Sequence, residues 1–321
     1  MKRRSFLVAA GLSATGLVAA CGNQASDTGT TADGRAVINV GITPLVNAAP
    51  LYLGIKKGFF TAEGLAVTPK TIQAAATAIP SMLKGDLQFA LVSTVPAINA
   101  RVQGLDISMV LGNDVYAQKA ADDGSAILVR GDSPIRDSGD LAGKTIGVVG
   151  LKSMPELAVR LAMRQAGADP ASAEFVELPY PEMTSAVQQG RVDAVLSADP
   201  FLRQGQNGGL RVAGWPYSEA LPGATGLSWL SAAAYLDAHA KSARGFVKAM
   251  TKSVAYAAEH ADEVRSVAGT FTTIPAKALA AMRLPVFDSA LATASLDKIA
   301  DAMVAEDFIT KKPDLDKLVR A

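Results

Sequence analysis

The stretch TPLVNAAPLYLGIKKGFFTAEGLAV, residues 43–67, decides the fold of this chain. It follows a β-like run, Ala36 to Ile42, and predicts a helix that begins near Ala48 and ends at Gly58. Glycine at that position can take the left-handed conformation that closes a helix. A second strand, Leu65 to Ile72, comes next. The order strand, loop, helix, strand is one βαβ unit, and ligands bind at the carboxyl ends of strands in open α/β sheets.

The same alternation of strands and helices continues to about residue 231. Gly85 to Ser93 resembles Gly190 to Ala198, since each is a helix-ending glycine, a polar residue, an apolar strand and a small polar exit. Two such series, linked by Ser125–Arg130 and Gly226–Ser231, predict an α/β fold of two similar lobes. Each lobe is a mainly parallel sheet flanked by helices, and the linking strands form the hinge. The expected boundaries are 36–124 plus 232–321 for the first lobe and 125–231, with hinge strands at both ends, for the second.

The N-terminus predicts an export signal over residues 1–20. Three basic residues precede the apolar run 6–20, which is shorter than the roughly 20 residues of a membrane span. The sequence RRSFL resembles a twin-arginine export signal, and LVAAC resembles a lipobox in which Cys21 is lipidated. Residues 21–35, small and polar, predict a flexible tether. We therefore expect an exported domain that is anchored by a lipid on Cys21 to the outer face of the cell membrane or in the periplasm.

Composition excludes several classes of function. The net charge of +1 gives no electrostatic footprint for nucleic acid, and one cysteine cannot form an intrachain disulfide. The two histidines, His239 and His260, fall in the helical C-terminal part, away from the predicted cleft. No HExxH, CxxC, GxSxG or P-loop pattern occurs. The sequence thus predicts no catalytic residues, no metal and no cofactor, and a protein that is not an enzyme.

Three motifs carry a family resemblance: Pro50–Leu53 with Gly58–Phe60 and Glu63–Val67, then Asp140–Val148, then Gln189–Ala194. Together they resemble the nitrate/sulfonate/taurine and thiamine-pyrimidine group of substrate-binding proteins of ABC importers, in lipoprotein form. The resemblance covers about Val37 to Ser231. It implies a type II periplasmic-binding-protein fold, a small-molecule ligand, a monomer, and delivery to permease and ATPase subunits.

Polar residues follow the strands of both predicted lobes where a cleft would lie. We expect ligand contacts from Asn47, Gln73, Ser93 and Thr94 in the first lobe, and from Lys152, Ser153 and Asp199 in the second, with Tyr116 as a lid and Trp215 as an aromatic plate. Most of them also have structural interpretations: the hydroxyls as helix caps, Asp199 as a turn former before Pro200, and Trp215 as partly buried core.

Helix N-termini at the cleft and Lys152 favour an anionic ligand, whereas Asp199 could hold an amine or amidine. The function predicted from the sequence is capture of a small anion, such as a sulfonate or nitrate, by hinge closure. A thiamine-precursor pyrimidine or an aromatic carboxylate is the alternative ligand. An enzyme or a surface sensor on the same fold stays open.

Overall fold

The computed structural model describes residues 29–72 and 75–320. Within them the chain forms two sheets of five strands. The first sheet contains β1 (Ala36–Ile42), β2 (Leu65–Thr71), β3 (Phe89–Ser93), β4 (Ile107–Gly112) and β11 (Leu227–Ala232), in the order β2-β1-β3-β11-β4. The second contains β6 (Ser125–Arg130), β7 (Thr145–Val148), β8 (Glu174–Glu177), β9 (Ala194–Ala198) and β10 (Leu210–Gly214), in the order β10-β6-β9-β7-β8. The short strands β5 (Asp114–Val115) and β12 (Val286–Phe287) pair with each other.

Helices connect these strands. Those of the first half are α1 (Ala49–Lys56), α2 (Phe59–Ala62), α3 (Ala75–Lys84), α4 (Thr94–Val102), α5 (Met154–Gln165), α6 (Tyr180–Gln188), α7 (Phe201–Asn207) and α8 (Pro216–Ala220). The C-terminal part adds α9 (Ala233–Ala238), α10 (Ala240–Glu259), α11 (Ala261–Ala268), α12 (Ala276–Ala281) and α13 (Thr293–Ala305). None of the helices in the described residues is long and apolar enough to cross a membrane.

The opening βαβ unit forms as the sequence predicts. Strand β1 pairs in parallel with β2 and β3. Helix α1 ends at Lys56, and its C-cap residue Lys57 is followed by Gly58. Gly58 has φ 74, the left-handed conformation expected of a glycine after a helix. Leu51 and Leu53 of α1 are fully buried beneath α10. Burial of this apolar face, rather than intrinsic propensity, fixes a helix of only eight residues.

Each sheet has four strands that run in one direction and one that opposes them. The opposing strand is β11 in the first sheet and β6 in the second, and each is the first strand after the chain crosses between the sheets. The expectation of two mainly parallel sheets is confirmed. The strand pairing differs from the predicted hinge, because β6 and β11 are central strands whose backbone groups need partners on both sides. Residues 227–231 thus belong to the first sheet, and the division into two movable lobes stays a prediction.

The internal repeat in the sequence occupies equivalent places in the two sheets. Gly85 and Gly190 both have left-handed backbones, with φ 84 and φ 68. The Gln88 side chain accepts a hydrogen bond from the Asn39 N–H at 2.8 Å, and the Asp193 side chain accepts one from the Thr145 N–H at 3.0 Å. In each case a polar residue just before the central strand of its sheet, β3 or β9, binds the neighbouring parallel strand, β1 or β7.

The C-terminal part is less uniformly helical than its alanine content predicts. Its last residues lie along the free edge of β4: the Met109 N–H donates to Leu318 O at 2.6 Å, and the Arg320 N–H donates to Met109 O at 2.9 Å. An edge strand presents unpaired N–H and C=O groups, which this tail satisfies. Phe246 of α10 completes the core of the first sheet by stacking on Phe89, with ring centroids 3.8 Å apart.

Candidate functional site

Two antiparallel segments carry the chain between the sheets. The Tyr116 N–H donates to Ala224 O at 2.9 Å, the Gly223 N–H donates to Tyr116 O at 3.0 Å, and the Gly226 N–H donates to Asp114 O at 2.9 Å. We call residues 113–116 and 223–227 the paired crossings. A pair of strands at one side of a cleft is the geometry of a hinge, because few bonds resist bending across it.

Asp114 lies at the centre of the paired crossings. Its buried carboxylate accepts hydrogen bonds from Asn47 Nδ2 at 2.9 Å, from Asn113 Nδ2 at 2.8 Å and from the Leu227 N–H at 3.2 Å. Burial raises the pKa of Asp114, and the three donors lower it by a smaller amount. Asn47, a predicted ligand contact, is therefore held through its amide nitrogen by the crossing.

The loop after β3 contributes Ser93 and Thr94. Thr94 is fully buried, and its hydroxyl donates to Thr225 O at 3.0 Å, so it fastens α4 to the second crossing. Ser93 is half-buried and is the N-cap residue of α4, but its side chain makes no capping hydrogen bond. Its structural interpretation as a helix cap is wrong, whereas its role as a ligand contact stays a prediction. Gln73 and Cys21 lie outside the described residues.

The loop after β7 carries Lys152 and Ser153. Ser153 precedes α5 as expected, yet its hydroxyl donates to Gly150 O, and Glu156 accepts from the Lys152 N–H at 2.7 Å. The structural interpretation of the Ser153 hydroxyl as a helix cap is therefore wrong. Lys152 has a left-handed backbone, φ 48, with its N–H toward the Glu156 carboxylate. The Lys152 ammonium reaches Asp307 O at 3.0 Å.

Asp199 follows β9 and connects the second sheet to the C-terminal part. Its Oδ2 accepts from the Arg283 N–H at 2.8 Å and from Arg203 Nε at 3.4 Å. The side chain is 2% exposed, and Oδ1 is buried without a hydrogen-bond partner. A buried carboxylate oxygen that lacks a donor is rare in folded proteins, which makes Oδ1 a candidate acceptor for a ligand donor.

Aromatic rings from the second half of the molecule lie close to the first crossing. Tyr116 stacks on Tyr217 with ring centroids 4.3 Å apart. Burial raises the pKa of both phenols well above the ordinary value of a tyrosine. Trp215, half-buried at the end of β10, has the Arg283 guanidinium 5.3 Å from its ring centroid. Tyr180 stacks on Phe201 at 5.8 Å. Tyr116 is thus packed into the crossing, and its role as a lid stays a prediction.

Sequence reasoning missed Arg283 and Asp114. Arg283 lies between α12 and β12, a region that the alanine-rich pattern assigns to helices, and no local signal marks it. Its backbone N–H binds Asp199, and its Nε donates to Ala121 O at 2.8 Å. Asp114 follows the end of a strand, which is the same signal that selected the other residues, so it could have been included.

Both histidines pack on tyrosines of the C-terminal helices. The His239 ring lies 4.8 Å from that of Tyr235, and the His260 ring lies 3.7 Å from that of Tyr256. Among the described residues, neither histidine ring has a hydrogen bond or ring contact with a predicted site residue. Over residues 29–72 and 75–320, no group of three or more His, Cys, Asp or Glu side chains could hold a metal ion.

A family model described as NMT1/THI5 like matches residues 46–264. The chain belongs to the NMT1/THI5-like family. The matched region begins at the 3₁₀ turn that contains Asn47 and extends past both paired crossings into α11. It therefore includes all the predicted ligand contacts.

Solved structures with the same architecture establish the fold. The chain resembles the periplasmic aliphatic sulphonate binding protein of Escherichia coli (TM-score 0.73, 19% identity, 88% of this chain and 96% of that one). It also resembles the periplasmic nitrate-binding protein of Synechocystis PCC 6803 (TM-score 0.68, 13% identity, 88% and 86%). The fold is the type II periplasmic-binding-protein fold, as expected from the sequence.

A curated relative is the protein YtlA of Bacillus subtilis, named as a binding protein. It is 23% identical over 221 residues, which are 68% of this chain. The chain spans 65% of the length of that relative. The two solved structures carry different ligands in their names, sulphonate and nitrate, so the fold by itself leaves the solute open.

Proposed function

We propose that this protein is the extracytoplasmic solute-binding component of an ABC importer, anchored through a lipid on Cys21. It captures a small molecule between two lobes and delivers it to a permease and its ATPase. One observation carries the proposal: the paired crossings join two sheets that have the same strand order. Family membership and the fold support it. Ligand closes the lobes only if it binds the closed arrangement more tightly than the open one.

A binding role fits the site chemistry better than catalysis does. Nucleophilic catalysis needs a hydroxyl next to a base, but the Ser153 hydroxyl donates to Gly150 O and the Thr94 hydroxyl to Thr225 O. The histidines pack on tyrosines in the C-terminal helices. Among the described residues of the site, no serine or threonine hydroxyl is placed against a histidine.

For the solute we propose a small anion such as a sulfonate or nitrate. The N-terminal ends of α4 and α5 lie at the carboxyl ends of β3 and β7, where unpaired N–H groups attract negative charge. The guanidinium of Arg203 beside Asp199 and that of Arg283 beside Trp215 add two cations near the ends of β9 and β10.

Asp199 Oδ1 favours a second class of solute. A ligand with an N–H donor, such as a thiamine-precursor pyrimidine, would give this buried oxygen the partner it lacks. Aromatic carboxylates remain an alternative because Trp215 offers a ring face.

A thermal-shift panel tests the proposal. The full chain with Cys21→Ser, which prevents lipidation, is screened with nitrate, methanesulfonate, benzoate and 4-amino-5-hydroxymethyl-2-methylpyrimidine. A solute at 100 times its Kd should stabilise the fold by roughly 2.7 kcal/mol. Asp199→Asn should abolish the shift from the pyrimidine and leave a shift from an anion in place. A folded protein that none of these solutes stabilises would argue against the solute-binding role and favour the sensor interpretation.

A further inference from the structure

The C-terminal strap, which we define as α13 and residues 306–320, is attached to the second crossing at its start and to the first sheet at its end. At its start the Ser295 hydroxyl accepts from the N–H of Thr225 in the second crossing at 3.3 Å. At its end Leu318 and Arg320 pair with Met109 of β4. Movement of the first sheet must therefore carry the end of the strap with it.

The middle of the strap contacts the second sheet's helix α5 through Glu306. This carboxylate is 4% exposed and accepts from Arg164 Nε at 2.8 Å, while Arg160 Nη1 lies 3.5 Å from its other oxygen. Arg160 is 18% exposed and is fixed in turn by Glu156 at 2.7 Å and by the ring of Phe175. The ion pairs of Glu306 thus join the two halves of the molecule.

The next residue makes a second connection. Asp307 has φ 56, and its carbonyl oxygen accepts from the ammonium of Lys152, which has φ 48. Left-handed backbone is uncommon for residues other than glycine and persists where surrounding contacts hold it. Lys152 is also in the loop predicted to contact ligand. The strap therefore holds that loop directly.

In this structure the contacts join the strap to α5 and to the loop after β7. Opening the paired crossings would separate α5 from the strap and expose the Glu306 carboxylate together with its arginines. A buried carboxylate that is paired with two guanidinium groups favours the arrangement in which the pairs are formed. We propose that Glu306 is a positioning residue whose ion pairs latch the lobes and set the fraction of ligand-free protein that is closed. This inference rests on the proposed function, because it requires lobes that move.

The test measures the distance between spin labels on the two lobes without any ligand. Cys21 is the only cysteine, so the full chain with Cys21→Ser accepts labels at Lys70→Cys and Glu177→Cys. These exposed positions lie on β2 and β8, the strands at the edges farthest from the crossings. Glu306→Gln should lower the ratio of closed to open molecules by about tenfold, since hydrogen bonds to charged groups contribute that much to an equilibrium.

Two further variants keep the inference falsifiable. Arg164→Gln changes a side chain that is 52% exposed, so this variant can be measured even if Glu306→Gln fails to fold. It should open the protein to a smaller extent than Glu306→Gln, because Arg160 still pairs with Glu306. Asp301→Asn is the matched control, since it removes an exposed ion pair of α13 with Lys312 that stays within the strap. The latch would be overturned if the label-to-label distances in Glu306→Gln and Arg164→Gln matched those in the labelled protein that retains both residues. An open parent protein, or equal opening in Asp301→Asn, would overturn it as well.

The outcome is separable from that of the proposed function. The solute panel is run on the same labelled protein, and a solute that stabilises the fold supports solute binding whatever Glu306 does. If the variants leave the distances unchanged while a solute still stabilises the fold, only the role proposed for Glu306 is refuted.

Discussion

Replacing Asp114 tests whether the paired crossings depend on one buried carboxylate. Asp114→Ala leaves Asn47 Nδ2, Asn113 Nδ2 and the Leu227 N–H without their acceptor. An unsatisfied buried donor costs about 1 kcal/mol at the lower end of its range, so three of them should lower the free energy of unfolding by about 3 kcal/mol. Asp114→Asn keeps one oxygen and should cost about 1 kcal/mol, because it can retain the donors to that oxygen.

Urea unfolding followed by tryptophan fluorescence measures this difference. Trp229 is a local reporter, since it is fully buried and its Nε1 donates to Asn113 Oδ1 at 3.1 Å. The dependence of the unfolding free energy on urea must stay the same in all three proteins for the midpoints to report stability. A loss below about 0.5 kcal/mol in Asp114→Ala, which is the range of ordinary surface changes, would refute the reasoning.

The pH dependence of the same comparison has a definite sign. Burial raises the folded-state pKa of Asp114 above its ordinary value, so the folded protein binds this proton more tightly than the unfolded chain does. The contribution of Asp114 to stability is therefore fully present below about pH 3.9, the unfolded pKa of aspartate, and is lost as the pH rises through the raised folded pKa. Since Asp114→Asn cannot ionise, the stability of the unmutated protein relative to this variant should fall with rising pH over that window.

Two other substitutions test the packing around the crossings. Gly112→Ala should lower the free energy of unfolding by about 1–3 kcal/mol, measured by urea unfolding. The added Cβ would lie 2.9 Å from the carbonyl carbon of Ala290, which is backbone and cannot rotate away. An unchanged urea midpoint would show that residues 288–290 move freely. Thr94→Val should cost about 1 kcal/mol, because the hydroxyl that donates to Thr225 O is lost at constant shape, and solute binding in the thermal-shift panel should persist. Loss of binding with unchanged stability would restore Thr94 as a ligand contact.

The fold could be predicted from sequence where short-range signals agree with burial. Residues 36–42 form β1 as expected, and Gly58 closes α1 because a left-handed turn there suits only glycine well. The likeness of Gly85–Ser93 to Gly190–Ala198 also proved informative, since it reflects equivalent strands in two sheets of one topology.

Long-range pairing limited the prediction elsewhere. The run Gly226–Ser231 looks like a link between lobes, but whether a strand lies between sheets or within one depends on partners more than 100 residues away. The spacing of Ser153 and Glu156 fits a capping box, yet the Ser153 hydroxyl donates to Gly150 O and the Glu156 carboxylate accepts from the Lys152 N–H. Thr94 follows the end of a strand, the signal that predicts a ligand contact, and its hydroxyl also donates to Thr225 O of the second crossing, a partner more than 100 residues away. Its role as a ligand contact stays a prediction.

The strand order has a consequence for how the protein is made. All five strands of the second sheet lie within residues 125–214, so a nascent chain that has reached Gly214 already carries that sheet complete. The first sheet begins earlier but lacks β11, which separates β3 from β4, until residue 232 has been synthesised. During that interval the buried strand FALVS, residues 89–93, has an unpaired edge, and unpaired apolar edges are sites of aggregation. The half of the molecule that is translated first is thus the half that finishes folding last.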